Sequence, residues 1–265
     1  MAANDPGQPP LSTRRRAWVQ QHPEAATTDL APPSSALAVG AHPDDIEFGC
    51  GATLAKWAAA GCTVHHLVCT DGSKGTWDAT ANTAALARVR EDEQREAARR
   101  LAGERAGEVR FLRQVDGELV ASAAAVGQVA LAIRELRPQV VLGHDPWKRY
   151  RLHPDHRNAG IIVCDAIVAA RDPHFFPEHG LAPHRPDVLL LFEADEPDHV
   201  EEVSMHLASK LHALLAHASQ FESTMHATDD GELAVFTARI SVAAAELGEP
   251  FGFAAAELFA RLDDL

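Results

Sequence analysis

Cysteine is scarce in this chain and unpaired in its pattern. Cys50, Cys62, Cys69 and Cys164 include no CxxC pair, which argues against a disulfide framework and fits a reducing, cytoplasmic compartment. Cations are outnumbered: 24 Lys and Arg stand against 38 Asp and Glu, a formal net charge of −14. That balance argues against nucleic acid or an anionic membrane as the main partner and leaves a small neutral or cationic ligand open. No apolar run approaches the ~18 residues that span a bilayer. Arg14-Arg15-Arg16 is followed by no apolar stretch of the kind an export signal needs. No internal repeat stands out, and no GxGxxG is complete. Gly49 and Gly51 supply half of that fingerprint, and the double Asp beside them would repel a pyrophosphate, so a dinucleotide is rejected.

What is present is an ordinary globular composition, 46% hydrophobic over 265 residues, ample for a real core. Residues 1–34, rich in Pro, Ala, Ser and Thr, read as an N-terminal arm, mobile or wrapped over the surface. Residues 35–265 read as one domain. Strands are expected at 36–39, 64–70, 109–112, 139–144 and 187–193. Helices are expected at 51–60, 84–102, from a Ser122 cap to 136, at 157–170, at 199–217 and at 254–262. Strands alternating with helices imply βαβ crossovers: a Rossmann-like, three-layer α/β fold around a mainly parallel sheet. Such sheets carry their sites just beyond the carboxyl ends of strands. The chemistry-bearing residues fall there.

The triplet His-Pro-Asp occurs twice, in "AHPDD" (41–45) after the first strand and in "HPDH" (153–156) beyond the fourth. Proline holds each preceding histidine extended, and the turn that follows brings Asp45 back beside His42 as a chelating pair. A catalytic zinc takes three protein ligands and keeps one position open. His156 or His153 supplies the third. The net charge of such a centre lowers the pKa of bound water from ~16 toward ~7. Asp44 points away from Asp45 and is a free carboxylate suited to serve as general base. Two rival readings use the same loops: a phosphoesterase with a second metal aided by His144, Asp145 and Asp71, and a non-catalytic carbohydrate- or metal-binding protein.

At these motifs the sequence resembles the LmbE/PIG-L family of zinc-dependent N-deacetylases. Further similar stretches are "GCGATLAKWAAAG" (49–61), "TDGSKG" (70–75), "REDEQREAARRLAG" (90–103), "HDPW" (144–147) and "KLHALLAHASQ" (210–220), so the likeness runs over roughly residues 36–220. The resemblance implies His42, Asp45 and His156 as zinc ligands, with other first-row divalent cations also suited to the set. It implies Asp44 as the base that passes a proton to the leaving amine. It implies His153 as a protonated oxyanion partner and Asp155 as the residue that orients His153 or another histidine. The implied substrate is a small N-acetylated sugar or glycoconjugate. Ile46 stands where mycothiol-pathway members carry Glu, and Ser73-Lys74 where many members are acidic, which leaves the substrate open. Oligomeric state is open too.

Several residues remain outside this scheme. Lys210, His217 and Gln220 match a family pattern without an evident chemistry. Arg88, Lys74 and Arg151 are candidates for sugar or phosphate contacts, and Trp77 and Trp147 for stacking. His65 and His66 read as structural.

Overall fold

The computed structural model describes residues 23–265; residues 1–22, the greater part of the expected arm, lie outside them. Among the described residues, eight strands form one sheet in the order β1-β7-β8-β6-β5-β2-β3-β4. They are β1 (Thr27–Thr28), β2 (Ser35–Gly40), β3 (Thr63–Thr70), β4 (Ala106–Gln114), β5 (Val140–His144), β6 (Val188–Phe192), β7 (His199–Glu202) and β8 (Ala256–Leu262). The helices are α1 (Asp45–Ala59), α2 (Thr83–Ala102), α3 (Ala123–Leu136), α4 (Pro154–Arg171), α5 (Leu207–Leu214) and α6 (Asp230–Gly248).

β2, β3, β4, β5 and β6 pair in parallel, and only β8 runs antiparallel, to β6 and β7. The alternation of buried residues assigns the two faces. Ala36, Ala38, Val64, Leu142 and Phe192 pack against Ile46, Leu54 and Trp57 of α1, Leu101 of α2 and Ala213 of α5. Leu37, Val39, Val141, Leu189 and Leu191 pack against Val129 and Ile133 of α3 and Ile162 and Val163 of α4. The chain moves outward from β2 to β3 and β4, then returns to the other side of β2 as β5. That reversal opens a crevice at the carboxyl ends of β2 and β5.

The expected α/β fold is the one observed, with local corrections. α1 begins at Asp45, six residues before the expected start, and breaks at Cys50, which leaves helical geometry at φ −147°, ψ 16°. α4 begins at Pro154, where a proline's missing N–H costs nothing, so the HPDH motif forms the first helical turn with His153 as its cap. The helix expected over 199–217 is strand β7, then α5, then a 3-10 turn at Ala218–Gln220. In β7 the inward residues are polar, His199 bonded to Glu201 at 2.9 Å, which hides the strand alternation. The helix expected over 254–262 is strand β8. Its Ala- and Leu-rich sequence favours helix, but pairing on both edges overrides propensity. α6, which Asp229 caps through Glu232 N at 2.9 Å, was not expected. Thr27–Thr28 pairs with β7, so the described part of the arm lies along the sheet edge.

Candidate active site

The segment after β2 turns so tightly that a Cβ on Gly40 would sit 3.1 Å from Asp45 Cβ. Asp44 then takes φ 109°, ψ −27°, a left-handed conformation that costs a non-glycine residue about 1–3 kcal/mol and persists only where its surroundings over-determine it. They do so here. Asp44 N donates to Gln94 Oε1 at 3.0 Å, and Phe48 N donates to Asp44 O at 3.0 Å. Arg90 donates to Pro43 O, to Gly72 O at 2.9 Å and to Asp44 Oδ2 at 3.3 Å.

Three donor groups meet beside Asp44. His42 Nδ1 lies 3.2 Å from His156 Nε2 and 3.4 Å from Asp45 Oδ2, and His156 Nε2 lies 3.3 Å from Asp45 Oδ1. Nitrogen and oxygen ligands sharing a tetrahedral cation at ~2.0–2.1 Å stand about 3.3 Å apart, so the set fits a small divalent ion. The far side of each of two groups is braced. His42 Nε2 meets Asp155 Oδ2 at 3.1 Å and Asp116 Oδ1 at 3.2 Å. Asp155 is itself fixed by the amides of Gly117 at 2.6 Å and Leu119 at 3.1 Å. Asp45 Oδ2 accepts from His42 N at 2.7 Å and faces His144 Nε2 at 3.1 Å. Arg151 stands 3.0 Å from His144 Nδ1 and 2.8 Å from Glu193.

The electrostatics favour positive charge at this point. Burial alone would depress His42, but its bonds to Asp116, Asp155 and Asp45 hold it well above the usual imidazole value. Burial would raise Asp45, but His156 and His144 hold it well below the carboxylate range. His156 is pushed down to about 4, by burial first, with Asp45 opposing. It is therefore a neutral imidazole, the form that binds metals. Asp44 is pushed up to about 6, chiefly by burial, against the pull of Arg90. Burial and the neighbouring His42 lower His153, and its Nδ1 accepts the Asp155 amide at 3.3 Å. With Nδ1 accepting, a neutral His153 carries its proton on Nε2.

These groups floor a cavity of about 660 Å³, walled by Phe48, Lys74, Trp77, Gln220, Phe236 and Arg239 among others. All six expected site residues come together. Asp155 orients His42 through its carboxylate and meets His153 only through its amide. Among the remaining candidates, Trp77 lines the cavity with 80% of its surface exposed, while Trp147 does not line it. Arg88 is exposed and Arg151 is buried against His144. Asp71 and Asp145 bind turn amides, those of Ser73 and Asp116 and that of Trp147. Sequence reasoning missed Arg90, Gln94, Asp116 and Glu193, and gave His144 only to a rival scheme. The strand-end rule covers Asp116 and Glu193, which follow β4 and β6. Gln94 and Arg90 lie in the family-like stretch 90–103, but no strand end marks them.

Residues 37–167 match the family described as PIG-L, GlcNAc-PI de-N-acetylase. A diacetylchitobiose deacetylase of Thermococcus kodakarensis is 34% identical over 188 residues, covering 70% of this chain and 69% of that protein. A 1D-myo-inositol 2-acetamido-2-deoxy-alpha-D-glucopyranoside deacetylase of Catenulispora acidiphila is 34% identical over 167 residues, and there the match spans about half of the relative, 51%. Among solved structures, N,N'-diacetylchitobiose deacetylase from Pyrococcus horikoshii superposes with a TM-score of 0.79 at 25% identity, over 97% of this chain and 95% of that one. With the fold, the motifs and these likenesses in agreement, the chain belongs to the PIG-L family.

Proposed function

We propose that the protein is a divalent-cation-dependent amide hydrolase that removes an N-acyl group, acetyl above all, from an amino sugar or glycoconjugate. The carrying observation is the meeting of His42 Nδ1 and His156 Nε2, 3.2 Å apart, with the Asp45 carboxylate, whose Oδ2 lies 3.4 Å from the first and whose Oδ1 lies 3.3 Å from the second, beside the buried carboxylate of Asp44 on a cavity floor. The similar deacetylases of chitobiose and inositol-linked glucosamine support the substrate class. His42, Asp45 and His156 would hold the cation, zinc by preference for this donor set. When bound it supplies Lewis acidity, lowering the pKa of water and polarising the acyl carbonyl.

The chain's own groups do the rest. Asp44 takes the proton of the attacking water and delivers it to the leaving amine. Arg90 keeps its carboxylate aimed. His153 donates Nε2–H toward the oxygen of the tetrahedral species, a contact whose loss typically costs ~10²–10³ in rate. Asp155 and Asp116 fix the ring of His42, and His144 fixes Asp45, so that neither ligand turns away. The phosphoesterase reading is disfavoured, because His144, Asp145 and Asp71 are engaged as braces and turn residues.

The test is acetate release from a panel of N-acetylglucosamine conjugates, run beside phosphoester substrates with metal analysis of the same samples. Acetate release with about one bound cation is expected. Phosphoester turnover without acetate release from a metal-loaded sample would overturn the reading.

A further inference from the structure

Beneath Asp44 lies a set of buried polar groups that the reaction above does not touch. Glu47, in the first turn of α1, is fully buried, as are His66, Gln94 and His217. Glu47 Oε2 meets His217 Nε2 at 3.2 Å, and Glu47 Oε1 accepts from Gln94 Nε2 at 2.8 Å. Gln94 Nε2 also meets His66 Nδ1 at 3.1 Å. A carboxylate taken wholly out of water is costly unless it is paired, and an apolar residue of similar volume often serves stability as well or better. The arrangement therefore calls for a role other than stability.

Its hydrogen-bond logic supplies one. The carboxylate oxygen of Glu47 accepts from the NH₂ of Gln94, which turns that end of the amide toward Glu47. The amide oxygen of Gln94 is then left facing the other way, where it accepts Asp44 N at 3.0 Å. Glu47 thus decides which way Gln94 points, and Gln94 pins the left-handed backbone of Asp44. His217 compensates the charge of Glu47 from 170 positions away. The same segment also reaches the neighbouring elements. Ser219 N and Oγ bind Glu93 of α2 at 2.8 and 2.6 Å, and Gln220 Nε2 donates to Gly75 O at 3.1 Å, in the loop that carries Trp77.

We infer that Gln94 and His217 are positioning residues for Asp44, acting through Glu47 and the Asp44 amide, and that segment 217–220 clamps this loop from below. The inference rests on the reading of Asp44 as base. Gln94→Met keeps the side-chain length and removes both polar ends. Its kcat should fall about 10–100-fold, with KM and bound metal within about twofold of wild type. His217→Phe should do the same. His217→Gln, whose amide nitrogen replaces the Nε2–H donor, should recover most of the lost rate. Unchanged kcat in Gln94→Met, or equal rates in His217→Gln and His217→Phe, would overturn the assignment. Gln94→Met leaves the Glu47–His217 pair in place and decides the matter should His217→Phe not fold.

If wild type releases no acetate, the reading of the site fails, and the clamp is then tested alone by hydrogen exchange at the Asp44 amide. Slow exchange in wild type and His217→Gln with fast exchange in Gln94→Met upholds it. Equal rates in all three refute it.

Discussion

Asp44→Asn should make the protein more stable and nearly inactive at once. Asp44 is only 5% exposed, and its carboxyl is pushed from 3.8 to about 6, by burial first. A folded value above the unfolded one means that the native state holds the proton more tightly. Ionising the group therefore costs stability, with none of that cost present below pH ~3.8 and all of it present above about 6. The shift corresponds to about 3 kcal/mol. Asparagine resembles the neutral acid, still offers an oxygen to Arg90 and tolerates left-handed backbone. In metal-stripped protein at pH ~7.5 the variant should gain about 3 kcal/mol. For 265 residues at ~2.1 cal/mol/K each, that is about 5 °C in Tm; near pH 4 the gain should shrink toward zero. The reloaded variant should bind metal as wild type does and lose ~10²–10⁴ in kcat. Thermal melts at both pH values, metal analysis and acetate release measure all three. Normal turnover would remove Asp44 as the base, and a lower neutral-pH Tm would refute the burial argument.

Three further outcomes are expected. His156→Ala removes a ligand and should weaken cation binding by more than the ~10–100-fold that loss of an outer brace costs; Asp155→Asn should stay within that range, both read by competition with a chelating dye. Glu257→Leu strands the buried Lys210, which Glu257 Oε1 meets at 2.7 Å, and strips the amides of Ala52 and Thr53 at the α1 break; it should destabilise by about 3–5 kcal/mol, and adding Lys210→Met should recover much of that in urea titrations. Trp77→Ala should raise KM for a two-ring substrate about 2- to 10-fold, the worth of one aromatic face, with kcat nearly unchanged.

The parallel heart of the fold was legible because β2, β5 and β6 are short, mostly apolar runs and β3 is a β-branched-rich one broken only by His65-His66, and because helices separate them. Ser122 does accept from Ala125 N, at 3.2 Å, and the pairs Glu91/Arg95 and Glu96/Arg100 do form along α2. Beyond residue 199 the same method failed for physical reasons. β7 buries His199 and Glu201 as fully as Val200 between them, so no apolar alternation shows. β8 is spelled in helix-forming residues and becomes a strand only because β6 and β7 flank it. α5 is eight residues long, so the spacing from Lys210 to His217 does not follow one helix: Lys210 reaches Phe48 O at the α1 break while His217 reaches Glu47 from the turn beyond.

At the site, sequence could identify residues whose partners lie within a few positions and could not identify those held from afar. His42 and Asp45 declare themselves because three residues and a proline bring them together. His156 required the second motif and the assumption that two strand ends meet, which the β2–β5 pairing satisfies. Which carboxylates are free is a different kind of fact. Asp71 and Asp145 look as available as Asp44 in a strand-end reading, yet each is occupied by turn amides. No turn amide occupies the Asp44 carboxylate; Gln94 holds its backbone and Arg90 touches its side chain from α2, 50 and 46 positions downstream. Chemistry at this centre is thus written locally, and its aim is set by contacts that exist only once the sheet has formed. Substitutions at Gln94 and Arg90, which set only the aim of Asp44, should therefore change rate while leaving the cation in place, and substitutions at His42, Asp45 or His156 should remove both.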